Sequence, residues 1–347
     1  MLERRRSTWA GAVALCSLCT LGGSPATTDR HEPQASTGPA SPTAIESYRI
    51  ESALAREGPS SRFQIVLRSF LAPQGRRLLI LDPSTLATSL VSADGWLLET
   101  LDPPALHARL AGSAYGMALE QARRNENPLV DAGVTHLRPS QPGINLTVDL
   151  CPSRRPLDRR LFMLLLQELE RVEKPVPVAV AITGIWMREH PADLAWLAGL
   201  DRAGRLSITW VNHSFHHFTD RGRPLASSFL LEPGTNTTDE VLATERELLE
   251  RGLLPSVFFR FPGLVSSRAL VETVVSLGLV PLGSDAWLAK GQQPGDGSIV
   301  LVHGNSNEPL GVTRFIELLR RERDAVREHR WLLLDLRQSV VDSGPRR

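Results

Sequence analysis

The chain has 347 residues, of which 42% are hydrophobic, and its 39 Lys and Arg nearly balance its 38 Asp and Glu. This length and hydrophobic content suffice for one large domain with a buried core and a smaller attached region. The near-neutral charge argues against a nucleic-acid-binding protein and against one held by charge on an anionic membrane.

The first 26 residues have the composition of a signal peptide. A basic segment at residues 4–6 precedes an apolar segment at residues 9–21, and residues 24–26 read Ser-Pro-Ala, a small-residue cleavage site. The apolar segment is shorter than the roughly 20 residues of a membrane-spanning helix. We therefore predict an exported protein of the bacterial envelope, periplasmic or extracellular, with no transmembrane helix once residues 1–26 are removed.

Two regions separate the signal from the main domain. Residues 27–46 are rich in Pro, Ser, Thr and Ala, which predicts a disordered linker. Residues 47–140 contain strand patterns at 63–67 and 77–81 and a helical pattern at 105–124, which indicate a small α+β accessory region. Because both other cysteines lie in the signal, Cys151 would be the only thiol of the mature chain, and no internal disulfide is possible.

From residue 141 to 340, strand-sized apolar runs alternate with helical patterns. The runs lie at 144–150, 176–182, 206–211, 257–261, 299–302 and 331–336, and the helical patterns at 157–172, 191–203, 239–251, 267–277 and 313–328. Such alternation predicts parallel strands wrapped by helices, as in a (β/α) barrel. The chemistry of barrels collects at the C-terminal ends of the strands, and Asp149, His213, Arg260 and His303 all follow or end such runs.

His213 and His217 are the first candidates for metal ligands. Two imidazoles four residues apart can face one divalent cation, and a catalytic zinc ion needs about three protein ligands and one open position. The spacing alone is weak, and each neighbouring candidate also has a structural explanation: Asp149 as a strand-end turn residue, for example, or Trp287 as a core residue. The order of these residues along the chain is what favours a shared site.

Five segments in this order resemble the polysaccharide deacetylases of the NodB-homology, or carbohydrate esterase family four, type. They read TVDLC at 147–151, HSFHH at 213–217, RFP at 260–262, DAW at 285–287 and LVH at 301–303. The resemblance spans roughly residues 143–336. It implies a distorted (β/α) barrel with fewer than eight complete units, and a metal-dependent hydrolase that removes N-acetyl groups from an amino-sugar glycan such as chitooligosaccharide, peptidoglycan or exopolysaccharide.

The resemblance assigns a role to each matching residue. His213 and His217 would hold a divalent metal ion, zinc by preference, and Asp149 would take a proton from the attacking water. Arg260 would orient Asp149, and His303 would protonate the leaving amine.

Three further residues are assigned to the substrate by the same resemblance. Trp287 would line the acetyl pocket, the backbone N–H of Gly263 would stabilise the oxyanion, and Asp285 would tune His303. The loop at 218–237, which follows the histidine pair, would shape a substrate groove.

The match fails at Leu150, where the family has a second aspartate that binds the metal. Asp149 could bind the metal directly, or Cys151 could supply a thiolate, because in an extended segment it projects to the same side as Asp149. The metal could also bind weakly with more water, and Cys151 would then be a small buried apolar residue. Two alternative functions therefore stay open: a catalytically impaired glycan-binding protein, and a hydrolase of another amide or of an O-acetyl ester.

Overall fold

The computed structural model describes residues 44–58, 60–124, 129–219 and 222–344, all of which lie in one compact unit, Ala40–Arg347. The predicted signal peptide and nearly all of the predicted linker lie outside the described residues. Ile45 is buried and Glu46 opens the first strand, so the last residues of the predicted linker, which ends at residue 46, belong to the folded region. Among the helices of the described ranges, none has the length and apolar character needed to cross a membrane.

An antiparallel five-stranded sheet and two helices form the N-terminal region. The strand order is β4-β3-β2-β1-β5. The elements are β1 (Glu46–Arg56), β2 (Gln64–Ala72), β3 (Gly75–Leu81), β4 (Thr88–Ser92), β5 (Leu97–Thr100), α1 (Pro103–Leu110) and α2 (Ala114–Arg123). The single helix predicted at 105–124 is in fact two helices, because Gly112 adopts a φ of 78° and Ser113 caps α2 by accepting a hydrogen bond from Gly116 N.

A parallel sheet wrapped by helices forms the main domain, in the order β10-β9-β8-β7-β6-β12-β11 with β13 beside the start of β6. Its strands are β6 (Gly143–Leu150), β7 (Val176–Ile182), β8 (Leu206–Asn212), β9 (Pro255–Arg260), β10 (Val280–Leu282), β11 (Ala286–Trp287), β12 (Ile299–His303) and β13 (Leu332–Leu333). Its helices are α3 (Arg159–Leu169), α4 (Gly184–Glu189), α5 (Pro191–Arg202), α6 (Thr237–Glu250), α7 (Arg268–Ser276), α8 (Pro309–Arg321), α9 (Arg323–Arg327) and α10 (Leu336–Asp342).

The predicted incomplete (β/α) barrel with an α+β addition is confirmed. Strands β6, β7 and β9 are buried at every position, as expected for parallel strands covered on both faces. The run predicted as a strand at 331–336 is a strand only at Leu332 and Leu333, and α10 begins at Leu336, where Asp335 caps it by accepting bonds from Arg337 N and Gln338 N.

Residues 129–137, which we call the seam segment, run along the free edge of β10. Val134 N donates to Pro281 O at 2.9 Å, and Gly283 N donates to Val134 O at 2.9 Å. Gly133 permits this approach, since a Cβ there would lie 2.3 Å from Pro281 O. The segment continues to the residue that precedes β12, where His136 bridges Ser298. Residues assigned by sequence to the accessory region therefore belong to the wall of the barrel.

A buried ion pair joins the N-terminal sheet to helix α6. Arg68 on β2 donates to both carboxylate oxygens of Glu245, at 2.7 and 2.9 Å, and also to Leu277 O at 2.7 Å. Tyr48 on β1 donates to the same carboxylate at 2.9 Å. With its charges and donors matched, this pair avoids the cost of an unpaired buried charge and holds α6 in a fixed position.

Candidate metal and catalytic centre

The C-terminal ends of the parallel strands bring the predicted site residues to one edge of the sheet. Asp149 on β6 and His303 on β12 are direct partners in the strand register. Asn212 ends β8, directly before His213, and Arg260 ends β9. The shared edge follows from the parallel pairing of these strands.

The two histidines lie in the loop after β8, with ring centroids 5.0 Å apart. His213 Nδ1 is 2.8 Å from Arg260 O, so this nitrogen carries the proton and Nε2 presents its lone pair to the centre. Burial lowers the pKa of His213 to about 4, so this imidazole is neutral at neutral pH. His217 is also buried, and its Nε2 has no hydrogen-bond partner among the described residues.

Cys151 completes a cluster of three donor atoms with these histidines. One donor atom each of Cys151, His213 and His217 lies within 4.8 Å of the others, and Cys151 Sγ is 3.5 Å from His213 Nε2. Burial alone would raise the pKa of the Cys151 thiol, but His217 and His303 outweigh it and bring the pKa to about 7. One sulfur and two nitrogens, with the unbonded His217 Nε2 among them, fit a zinc-like ion and leave a fourth position open.

Leu150 projects away from this cluster. It is fully buried in the hydrophobic core, and its Cδ2 lies 3.2 Å from the position that a Cβ would take on Gly304. Leu157 packs in the same hydrophobic core. The alternation of side chains along β6 and into the residue after it thus directs Leu150 to the core and Asp149 and Cys151 to the donor cluster.

Asp149 lies between the histidine cluster and Arg260. Its Oδ2 is 3.8 Å from His213 Nε2, and its Oδ1 is 3.6 Å from Arg260 Nη1. Oδ1 accepts no hydrogen bond from the described part of the chain. Arg260 is itself buried and donates from Nη2 to Thr147 Oγ1 at 3.0 Å, which fixes the guanidinium beside the carboxylate. Asp149 is therefore a buried carboxylate with one oxygen available to accept a proton.

His303 pairs with a carboxylate that the sequence does not indicate. Its Nδ1 is 2.9 Å from Glu308 Oε2, and Trp287 Nε1 donates to the same oxygen at 2.7 Å. The oxygen lies off the direction of the ring N–H, so the contact is an ion pair rather than a hydrogen bond. Burial lowers the pKa of His303, but Cys151, Glu308 and Asp149 outweigh burial and raise it well above its ordinary value. This imidazole is therefore charged at neutral pH.

Asp285 does not tune His303, and that prediction is wrong. Its carboxylate accepts from Ile299 N at 2.9 Å and from Ser298 Oγ at 3.2 Å, and it pairs with His136 Nδ1 at 2.7 Å. These partners consume its oxygens at the junction of the seam segment with β12. Asp285 is therefore a structural tie, and Glu308 occupies the place beside His303.

Gly263 and Phe229 form one wall of the centre. Gly263 has a φ of 61°, and a Cβ at this position would lie 2.5 Å from Phe229 Cζ. The Phe229 ring packs edge-on against His217, with centroids 5.3 Å apart. Phe229 comes from the long loop after the histidines, so this loop does reach the site. Trp287 packs against His303, with ring centroids 5.9 Å apart.

No protein-family model matches the sequence. Among solved structures, the fold is similar to a family 4 carbohydrate esterase from Bacillus anthracis, at 18% identity and a TM-score of 0.45, over 67% of this chain and 94% of that chain. It is also similar to the peptidoglycan deacetylase PdaC from Bacillus subtilis, at 16% identity, a TM-score of 0.40, and 58% and 91% coverage. A third similar structure is a family 4 pseudoenzyme from Bacillus anthracis, at 14% identity, a TM-score of 0.42, and 62% and 70% coverage. Two of these structures are named as carbohydrate esterase family 4 proteins, one of them as a pseudoenzyme, and the third is named as a peptidoglycan deacetylase.

Proposed function

We propose that this protein is an exported, metal-dependent hydrolase that removes acetyl groups from an N-acetylated amino-sugar glycan. The observation that carries the proposal is the cluster of Cys151, His213 and His217 donor atoms within 4.8 Å, beside a buried carboxylate and a charged imidazole. The basic and apolar pattern of residues 4–26 supports export.

The three donors would hold one divalent ion, for which a thiolate and two imidazoles favour zinc. When bound, such an ion supplies a Lewis acid for the acyl carbonyl and lowers the pKa of water. Cys151 would supply the third protein ligand, because Leu150 stands where the resembled family has a metal-binding aspartate. The neutral state of His213 at neutral pH leaves its Nε2 ready to bind without first losing a proton.

Asp149 serves as the base that accepts a proton from the attacking water. Its Oδ1 accepts no hydrogen bond from the described residues, and Arg260 Nη1, 3.6 Å from this oxygen, orients the carboxylate. Arg260 in turn donates a hydrogen bond to Thr147 Oγ1. Strand β6 therefore carries both the base, Asp149, and the hydroxyl that holds Arg260 beside it.

His303 serves as the acid. Its charged state at neutral pH gives it a proton to donate to the nitrogen of the breaking C–N bond, which leaves as an amine while the acyl group leaves as acetate. Glu308 stabilises the charged ring before transfer. Trp287, which packs against His303, would line the acetyl group, and the backbone N–H of Gly263 would stabilise the developing negative charge.

The test is acetate release from chitooligosaccharides and peptidoglycan fragments by the purified full chain with zinc. We expect release that is abolished by chelation, restored by added zinc, and reduced at least about 100-fold by His303→Ala. Release from O-acetylated glycans only would identify an esterase. Glycan binding without bound metal or acetate release would identify the impaired binding protein.

A thiol-dependent hydrolase is a second candidate, favoured by the ion pair of His303 with Glu308 and the interaction of His303 with Cys151. In that mechanism the Cys151 thiolate attacks the acyl carbon, His303 protonates the leaving group, and water then cleaves the thioester. Chelation separates the two mechanisms. Activity that survives metal removal and is lost on alkylation of the thiol would support the second one.

A further inference from the structure

A buried carboxylate outside the donor cluster contacts the loop between the two histidines. Glu240 lies in the first turn of α6, and its Oε2 accepts from Phe215 N at 2.9 Å and from His216 N at 2.8 Å. Its Oε1 is 2.6 Å from His216 Nδ1. Glu240 is 6% exposed, so these three donors are what compensate for the loss of its hydration.

The loop that Glu240 holds has an unfavourable backbone conformation. Ser214 and His217, neither of them glycine, have φ values of 64° and 52°. Left-handed conformations of this kind persist only where the surroundings impose them. Asn212 fixes the other end of the turn, since its Oδ1 accepts from Ser214 N at 3.0 Å and its Nδ2 donates to Val241 O at 2.9 Å. The contacts of Glu240 and of Asn212 with this turn both lead to helix α6.

Helix α6 is in turn fixed from its other side. Glu245, one turn further along, receives both Arg68 donors of the N-terminal sheet. A loop with two strained residues is thus tied to a helix that is anchored in the core. The turn that Glu240 binds is the segment that connects His213 to His217.

We propose that Glu240 is a positioning residue for the metal centre, which fixes the two imidazoles in a binding arrangement without touching the metal. The proposal rests on the metal centre of the proposed function. It adds a site outside the donor set and assigns to α6 the role of holding that set preorganised.

The experiment compares zinc dissociation constants of the full chain, measured by competition with a chromophoric chelator. Groups that orient metal ligands contribute about 10- to 100-fold in affinity, and we expect Glu240→Ala to weaken zinc binding by that factor. Glu240→Gln keeps an oxygen for Phe215 N and His216 N, so we expect it to stay within about fivefold of the wild type. Glu240→Asp, whose carboxylate is withdrawn by one methylene, should fall between them and serves if the alanine variant does not fold.

Two matched controls separate positioning from general destabilisation. His216→Ala removes the side-chain contact and leaves both backbone bonds, so its zinc affinity should stay within about twofold of the wild type. Glu168→Ala, at the C-terminal end of α3, removes a half-buried carboxylate that pairs with Arg323 and should lower stability without changing zinc affinity.

Hydrogen exchange of the metal-free chain distinguishes failure of this role from failure of the metal centre. Exchange at residues 213–217 should rise in Glu240→Ala and not in Glu240→Gln. Wild-type zinc affinity in a folded Glu240→Ala would overturn the positioning role alone. A wild-type chain that binds no zinc, with the exchange difference intact, would overturn the metal centre and this role with it.

Discussion

The replacement Cys151→Ala tests whether the thiol is the third metal ligand. The variant removes the sulfur from a set in which it lies 3.5 Å from His213 Nε2, and it leaves both histidines in place. Because Cys151 is a small buried residue, alanine should be accommodated with a modest loss of stability. The expected effect is therefore on metal affinity much more than on folding.

The magnitude follows from the number of ligands. Zinc sites with four protein ligands bind with about 10–16 kcal/mol, or about 2.5–4 kcal/mol for each ligand. The loss of one ligand then corresponds to about 100- to 1,000-fold weaker binding. Only two imidazoles would remain in the cluster, with Asp149 Oδ2 at 3.8 Å from His213 Nε2 as the nearest carboxylate.

The assay is zinc stoichiometry and dissociation constant on the full chain, with unfolding in urea measured in parallel. Cys151→Asp is the matched variant, since it returns an oxygen ligand to the same side of β6 and should retain zinc more tightly than the alanine variant. Equal zinc affinity in wild type and Cys151→Ala would refute the assignment of Cys151 as a ligand.

Three further predictions test other parts of the site. Glu308→Gln removes a negative charge beside His303 and should lower the pKa of this histidine. Because the reaction needs protonated His303, the basic limb of the pH–rate profile should move to lower pH than in the wild type. A basic limb that does not move would contradict this. Gly263→Ala should lower the free energy of unfolding by about 1–2 kcal/mol, because residue 263 has a φ of 61°. The added Cβ would also collide with the Phe229 ring and lower acetate release. Adding Phe229→Ala to the same chain should recover part of that release. Leu150→Asp should destabilise the fold by several kcal/mol in urea unfolding, because the side chain at this position faces the core. For the same reason it should not add a second carboxylate ligand. A stable variant that binds zinc more tightly would show that the side chain faces the metal centre.

Much of the main domain was predictable because its signals are periodic. Alternating apolar runs and helical patterns indicated the parallel sheet, and parallel pairing then required Asp149, Arg260 and His303 to share an edge. The two-residue period of a strand also placed Cys151 on the same side as Asp149, while its role as a metal ligand or as a small buried apolar residue stayed open. These inferences need only the local chain and the direction of the strands.

The partners of the site residues were not predictable, because they depend on loops. Glu308 reaches His303 from the loop before α8, and nothing in a spacing of five residues indicates that contact. In the sequence Glu240 is only part of the helical pattern at 239–251, while its carboxylate binds the backbone of a turn 24 and 25 residues earlier. The seam segment shows no alternation of apolar and polar residues along the sequence, and it pairs with its neighbours only through isolated bridges. Asp285 was misassigned for the same reason, because its partner His136 lies in that segment.

X-ray absorption spectroscopy of the zinc-loaded full chain is the sharpest test of Cys151 as a metal ligand, because it counts the ligands by type. We expect one sulfur per zinc at about 2.3 Å and nitrogen or oxygen ligands at about 2.0–2.1 Å, with the sulfur contribution absent in Cys151→Ala. A wild-type spectrum with only nitrogen and oxygen ligands, or a purified chain that takes up no zinc, would contradict it.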